Sequence, residues 1–374
     1  MKSKILIILG TRPEIIRLSC IIKKLEKNFI LKIVNTNQNF DTNLNKIFFK
    51  ELNLKKPFYN LNIKNSNPIE FISALFNRID RILSFEKPNG VLVLGDTNSA
   101  LSVFCAKKKK IPIFHLEAGN RCFDQRVPEE INRSLIDKLS DVNMTYSEIA
   151  KQNLIKENFD SDRVIKVGSP LFEVFNSYKD NIDNSNILKR LHLKKEKYLV
   201  VSCHREENIE NIKNLKNIFI AVNKIAQKNK LKVIFSTHPR MRKKLKNINK
   251  NNLKNITFCK PFGFFDYIKL QSNSKLTLSD SGSIVEESNI LNFPAINLRE
   301  TTERHEGMEK GFCLISSLEV DSIINSSEII LNKYSNIVNK DIHPDYSEPH
   351  VSDKITIIIQ SFLNYINRKI WFKF

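Results

Sequence analysis

The sequence predicts an α/β protein made of two doubly wound, parallel-sheet domains. Short apolar runs alternate with amphipathic stretches of helix length, the alternation that builds parallel sheets. The pattern begins at Lys4 and restarts at Tyr198, beyond the polar, Asn/Asp-rich stretch Tyr178–Asn186. A length of 374 residues also exceeds what one core usually organises.

Lys4–Leu9 is a continuous apolar strand ending at Gly10, and Thr11-Arg12-Pro13-Glu14 matches a helix capping box. The helix that follows carries Ile15, Ile16, Leu18, Ile22 and Leu25 inward. Leu31–Thr36 reads as a strand, Phe40–Glu51 as a helix, and Pro68–Phe85 as a helix with apolar residues at 3–4 spacing. Val91–Leu94 is a buried strand opening onto Gly95 and Asp96. Ser99–Lys110 has helix length, and Ile111–Leu116 is the next strand, opening onto Glu117. This βαβ crossover should set Asp96 and Glu117 side by side above neighbouring strand ends, where open α/β sheets collect ligands. Glu129 and Glu130 follow Pro128 at the start of a helix through Asn132–Leu139. Val142–Tyr146, a helix over Glu148–Glu157 and Val164–Val167 close the first half.

In the second half Tyr198–Ser202, Leu231–Ser236, Ile256–Phe258, Lys275–Leu278 and Ala295–Leu298 read as strands. Helices are expected over Ile212–Gln227, over Phe265–Gln271 and from Ile284. Ser352–Lys369 is a long helix whose Ile355, Ile358, Ile359, Phe362 and Ile366 form a core-like face, expected to pack back across the domain junction. The domain bounds are set at 1–172 plus 350–374 for the first domain and 173–349 for the second.

Composition narrows the class. The net charge of +20 invites a nucleic-acid reading. The lysines, however, are dispersed through amphipathic stretches and not interleaved with aromatics as in a base-stacking platform. No nucleic-acid partner is expected. Six scattered cysteines, without CxxC or CxxH spacing, argue against a zinc site and fit a reducing compartment. No stretch reaches the roughly 20 apolar residues of a membrane span, and the apolar run at the start is too short for a signal peptide. A cytoplasmic protein with no membrane insertion, no metal and no cofactor is expected.

The candidate chemistry lies at strand ends. Asp96, Glu117 and Glu129 form a carboxylate set suited to acid/base work. Their plainer readings are a helix cap for Asp96 and N-terminal charge complementarity for Glu129. Arg12 sits at a helix N-terminus, a place that binds anions, and Ser281, Gly282 and Ser283 make the same device in the second domain. Glu287, one turn in, either complements the helix start or takes a ribose. His204 could neutralise a phosphate or move a proton, and His238 and Arg304 follow further strands. Neither HxxxH nor HExxH spacing occurs, so nothing calls for a metal.

Seven ordered motifs carry a resemblance: Gly10-Thr11-Arg12-Pro13-Glu14, Gly95-Asp96-Thr97, Glu117-Ala118-Gly119, Pro128-Glu129-Glu130-Ile131-Asn132-Arg133, His204-Arg205-Glu206, Asp280-Ser281-Gly282 with Glu286-Glu287, and Thr301-Thr302-Glu303-Arg304. Over nearly its whole length the chain resembles the non-hydrolysing UDP-N-acetylglucosamine 2-epimerases. Within that family, Glu117–Pro128, Ile15–Ser19 and Glu306–Glu309 are most similar to the UDP-N-acetyl-L-fucosamine synthases. The resemblance implies a glycosyltransferase-B-like fold: two Rossmann-like domains facing a cleft, with a C-terminal helix returning to the first. It implies a homodimer and a UDP-sugar substrate. The reaction would invert C2 of UDP-2-acetamido-2,6-dideoxy-L-talose through a 2-acetamidoglycal, for surface polysaccharide; the alternative is UDP-N-acetylglucosamine 2-epimerase. Asp96, Glu117, Glu129 and His204 are then expected in catalysis. Arg12, Arg17, Arg133, His238, Tyr267, Ser281, Gly282, Ser283, Glu287 and Arg304 are expected to bind substrate. The family's usual Pro after Thr-Glu-Arg is replaced by His305.

Overall fold

The computed structural model describes residues 2–38, 42–63, 67–203, 205, 208, 211–237, 255–311, 313–337 and 341–373. The chain forms two compact units, Met1–Ser177 with Pro344–Phe374, and Tyr178–His343.

The first unit contains β1 (Lys4–Leu9), α1 (Arg12–Asn28), β2 (Ile30–Asn35), α2 (Thr42–Glu51), β3 (Tyr59–Asn60), α3 (Pro68–Glu86) and β4 (Gly90–Leu94). It continues through α4 (Val103–Lys108), β5 (Ile113–Leu116), α5 (Pro128–Leu139), β6 (Val142–Thr145), α6 (Glu148–Lys156), β7 (Val164–Lys166) and α7 (Leu171–Ser177). Its strands form one parallel sheet in the order β3-β2-β1-β4-β5-β6-β7. The chain starts in the middle, winds outward to β3 and returns beside β1 with Ile5 opposite Gly90. That reversal is the switch point at which ligands gather in open sheets.

The central strands β1 and β4 are apolar over nearly their whole length because helices cover both faces. Leu6 and Ile8 of β1 share a buried cluster with Phe71, Leu75 and Ile79 of α3 and Val103 and Ala106 of α4. At Gly90 a Cβ would lie 2.9 Å from Leu363 Cδ2 and 3.3 Å from Ile5 Cδ1, so the missing side chain lets the last helix press onto the sheet.

The second unit contains α8 (Lys179–Asp183), α9 (Ile187–Arg190), β8 (Tyr198–Cys203), α10 (Ile212–Asn229), β9 (Lys232–Thr237), β10 (Ile256–Cys259) and α11 (Phe264–Ser272). Then come β11 (Leu276–Ser279), α12 (Ile284–Leu291), β12 (Ala295–Leu298), α13 (His305–Glu309), β13 (Cys313–Ser316) and α14 (Val320–Ile337). The parallel order is β10-β9-β8-β11-β12-β13, with its own switch point between β8 and β11. α15 (Val351–Lys369) belongs to the first unit and packs on α1; Ser352 N–H donates to Glu173 Oε2 of α7 at 2.8 Å. The doubly wound sheets and the returning helix are those expected.

Several details differ, among them the short helices α7, α8 and α9, which the sequence analysis does not expect. The helix expected over Ser99–Lys110 is a 3₁₀ turn, Ala100–Ser102, followed by the short α4. Ser99 is held instead by a neighbouring loop: its N–H and Oγ both donate to Gln38 Oε1, at 3.1 and 2.9 Å. β13 and α14 escaped the sequence reading, because α14 buries Ser326 and Ser327 alongside Ile323 and Ile330, which blurs its apolar period. The two-residue β3 was too short to register. α13 begins at His305, so the residue standing in for Pro still opens a helix.

Candidate active site

The first unit's switch point is knit together by Glu14. Its capping box forms as the sequence predicts. Oε2 accepts from the Gly10 N–H (2.9 Å), the Thr11 N–H (2.7 Å) and the Thr11 hydroxyl (2.7 Å). Oε1 accepts from the Thr97 hydroxyl at 3.0 Å, across the switch point from β1 to β4. Burial pushes this carboxyl up, against the opposing pull of those hydrogen bonds, to about 7. Below about pH 4.5 the group is protonated folded or unfolded. Between 4.5 and about 7 only the unfolded chain releases the proton, so stability falls as pH rises through that window. Glu14→Gln should remove on the order of 3 kcal/mol of this pH-dependent loss, measured as the difference between wild-type and variant urea denaturation from pH 4.5 to 8.

Asp96 follows β4, and its Oδ2 receives Arg133 Nε at 2.8 Å and Nη2 at 2.7 Å. It does not cap a helix. Oδ1 has no partner among the described residues, so one oxygen is anchored and the other open. Arg133, 4% exposed, also donates Nη1 to Glu130 Oε2 at 2.6 Å. Glu130 in turn accepts the Cys122 N–H at 3.1 Å and the Phe123 N–H at 2.9 Å. Burial alone would raise Glu130, but the Cys122 amide, Arg133 and the Phe123 amide outweigh it and hold the carboxyl low. Arg133 therefore joins two carboxylates inside the unit.

Glu117 follows β5, the strand beside β4, as the crossover predicts. Its φ is +71°, the left-handed region a side chain rarely adopts. Arg17 Nε stands 3.9 Å from its Oε2, with the Arg17 guanidinium 5.5 Å from the Tyr146 ring centre. Gly119, at φ +78°, follows; a Cβ there would come within 2.2 Å of the Ala150 carbonyl oxygen. Glu129, in the first turn of α5, is half-buried and pairs with nothing among the described residues. Arg12 is also without a carboxylate among them, its guanidinium 5.8 Å from the Phe48 ring centre.

Behind the Glu117 turn lies a network that sequence reading missed. Asp137, fully buried, accepts Arg121 Nη1 at 2.7 Å and the Gly119 N–H at 3.2 Å, and faces His115 Nδ1 at 2.9 Å. His115 Nε2 reaches the Gly95 carbonyl at 2.9 Å, so the ring lies between the Gly95 turn and Asp137, which itself holds the Gly119 N–H. Arg121 also grips Glu157 with two bonds of 2.7 Å. Burial would discharge this guanidinium, but Glu157 and Asp137 hold it charged more firmly than usual. Asn120 and Arg121 stand in a segment already rich in charge, and Asp137 lies sixteen residues on from Arg121, so the sequence carried no signal of their pairing.

In the second unit, Ser281 and Ser283 lie where β11 gives way to α12, their hydroxyls 3.0 Å apart. The Ser283 hydroxyl donates to Glu287 Oε1 at 2.7 Å, and Gln271 Nε2 to Oε2 at 2.9 Å. Gly282 has no room for a side chain: a Cβ would meet Glu303 Oε1 at 2.2 Å. Arg304, 2% exposed, pairs with the buried Glu286 at 2.9 Å. Tyr267 is half-buried on α11, against Phe262 and Leu270. His204 and His238 lie outside the described residues. No metal-holding cluster of His, Cys, Asp or Glu occurs among the described residues.

Two parallel-sheet units, one with carboxylates over adjacent strand ends and one with a serine-lined helix start, define an enzyme of the nucleotide-sugar 2-epimerase class, non-hydrolysing isomerases. Residues 23–360 match the family model described as UDP-N-acetylglucosamine 2-epimerase, and the chain belongs to that family. The structure of UDP-N-acetylglucosamine 2-epimerase from Rickettsia bellii is 40% identical, covers 100% of both chains and superposes with a TM-score of 0.92. The Methanocaldococcus jannaschii UDP-GlcNAc 2-epimerase, in complex with UDP-GlcNAc and UDP, is 37% identical over 96% of this chain and 99% of its own, TM-score 0.88. The UDP-2,3-diacetamido-2,3-dideoxy-D-glucuronate 2-epimerase of Pseudomonas aeruginosa is 32% identical over 88% of this chain and 93% of its own.

Proposed function

We propose that the chain inverts C2 of a UDP-2-acetamido sugar by eliminating and re-adding UDP. The carrying observation is Asp96 and Glu117 on adjacent strand ends, Asp96 held by Arg133 and Glu117 with Arg17 3.9 Å away, with Glu129, unpaired among the described residues, in the same unit. C2–H has no neighbouring carbonyl to acidify it. As the C1–O bond lengthens, UDP takes the bonding pair, positive charge grows at C1, and C2–H becomes acidic. A carboxylate takes that proton and a C1=C2 glycal forms. A carboxylic acid on the other face then returns a proton to C2, and a UDP oxygen closes the C1–O bond again. Atoms and charge balance without a cofactor.

Asp96, Glu117 and Glu129 supply the base, the acid and the charge facing C1. Arg17, against Glu117, borders the sugar, and Arg133 orients Asp96. In the first unit Arg12 is a phosphate ligand; in the second, His204, Ser281, Gly282 and Ser283 hold the diphosphate, where backbone amides at the α12 start favour anions. Glu287, its two oxygens already oriented by Ser283 and Gln271, takes the ribose hydroxyls. Tyr267 lies against the uracil, and His238 and Arg304 support the phosphate side. Acid/base help is worth about 10²–10⁴-fold, and stabilisation of the departing diphosphate contributes more. The enzyme works in the cytoplasm, a reading supported by its six free cysteines, and as a homodimer, a reading supported by the family resemblance alone.

The relatives named for UDP-GlcNAc favour interconversion of UDP-N-acetylglucosamine and UDP-N-acetylmannosamine. A second reading, conversion of UDP-2-acetamido-2,6-dideoxy-L-talose to UDP-N-acetyl-L-fucosamine for surface polysaccharide, is favoured by the segment Glu117–Pro128, which includes the buried Arg121 and Cys122. Relatives acting on different sugars show that the fold leaves the sugar open. Each UDP-sugar is incubated with the enzyme and the C2 configuration read by proton NMR. Epimerisation of UDP-GlcNAc supports the first reading, and epimerisation of the L-talo sugar alone supports the second. Inversion of neither would reject both.

A further inference from the structure

At the ends of α3, α4 and α15 the first unit carries a surface that the proposed chemistry does not use. α4 runs out into four consecutive lysines, Lys107–Lys110. Lys107 and Lys109 are neutralised by Asp141 (2.6 Å) and Asp80 (2.8 Å). Lys108, Lys110, Arg368 and Lys373 have no carboxylate partner among the described residues. The chain that leaves α15 folds back onto this run: Lys373 Nζ donates to the Lys110 carbonyl at 2.6 Å. Trp371 lies with its ring centre 5.3 Å from Lys107 Nζ and 6.0 Å from Lys110 Nζ. Lys109 Nζ also reaches Ser84 Oγ at 2.8 Å, which brings the end of α3 into the same patch. Two large apolar side chains stand out of it, Phe372 at 73% and Phe85 at 80% exposure.

We propose that this surface adsorbs to an anionic membrane. Unpaired ammonium groups are drawn to acidic headgroups, and exposed phenyl rings beside them gain by entering the interface. The charge of the whole chain, +20, acts in the same direction. A nucleic acid would want open aromatic faces along a groove. Here the indole is flanked by two lysines, and the exposed phenyl rings stand apart at the ends of α3 and α15. No helix is long and apolar enough to cross a bilayer among the described residues, so the contact is peripheral.

The test is flotation of the full chain with vesicles of equimolar phosphatidylcholine and phosphatidylglycerol, against vesicles of phosphatidylcholine alone. The wild type should float with the acidic vesicles, release in high salt and ignore the neutral ones. Lys108→Gln with Lys110→Gln should weaken binding roughly thirty-fold, and Phe372→Ser should weaken it with the charge intact. Both changes lie on exposed side chains, and a melting curve checks that the variants fold. The salt and headgroup dependence of the wild type decides the matter even if they do not. Absence of flotation, equal flotation on neutral vesicles, or binding untouched by folded variants would overturn the proposal. Capture of transfer RNA without vesicle binding would overturn it too, and assign the patch to nucleic acid.

Discussion

Replacing Glu117 with Gln should lower kcat by about 10²–10⁴-fold, the usual worth of a positioned acid or base. UDP affinity and melting temperature should barely change. The amide has the same shape, and the turn that forces Glu117 to φ +71° is made by the backbone and by the network beneath it. Asp96→Asn should behave alike, with Arg133 keeping its bond to Glu130. Glu129→Gln, at a side chain with no partner among the described residues, is the cleanest of the three for separating chemistry from structure. If the carboxylates act as a unit, the double variant Asp96→Asn/Glu117→Gln should cost far less than the product of the single losses. Steady-state kinetics with isothermal titration of UDP separates these outcomes. Higher or unchanged kcat in all three variants would remove the carboxylates from the reaction.

Asp137→Ala should destabilise the first unit by about 3–5 kcal/mol, because it strands Arg121 in a buried position with half its partners gone. That is a large fraction of the roughly 5–15 kcal/mol that holds a domain folded. The Gly119 N–H loses its acceptor at the same time, and His115 loses the carboxylate that lies 2.9 Å from its Nδ1. Changing both members of the pair, Arg121→Met with Asp137→Leu, should recover much of the loss, since paired burial of charge is costly to begin with. Urea unfolding of the three proteins checks both statements. The double variant should regain stability without regaining activity, because the Gly119 N–H of the Glu117 turn would no longer be held by Asp137.

The fold was largely legible because the sheets are buried on both faces, so their strands are short, mostly apolar runs and most of their helices show clear period. The crossover from β4 to β5 followed from Gly95-Asp96 and Glu117 closing two such runs, and their adjacency is what the sheet order shows. The α14 helix was lost where buried serines replaced apolar residues on its inner face. The supports of the site were illegible for a different reason. Arg121 meets Asp137 across sixteen residues and Glu157 across thirty-six, and such long-range pairs leave no periodic trace. Glu14 was visible as a cap, but its bond to Thr97 depends on two strands meeting at the switch point.

The most direct test of C2 proton transfer is epimerisation in deuterated water, read at C2 of the recovered UDP-sugar. One solvent deuterium is expected at C2 of the product, none at other carbons, with loss of that exchange in Glu117→Gln. Inverted product that keeps its original C2 hydrogen would contradict it, since no carboxylate could then have removed that proton.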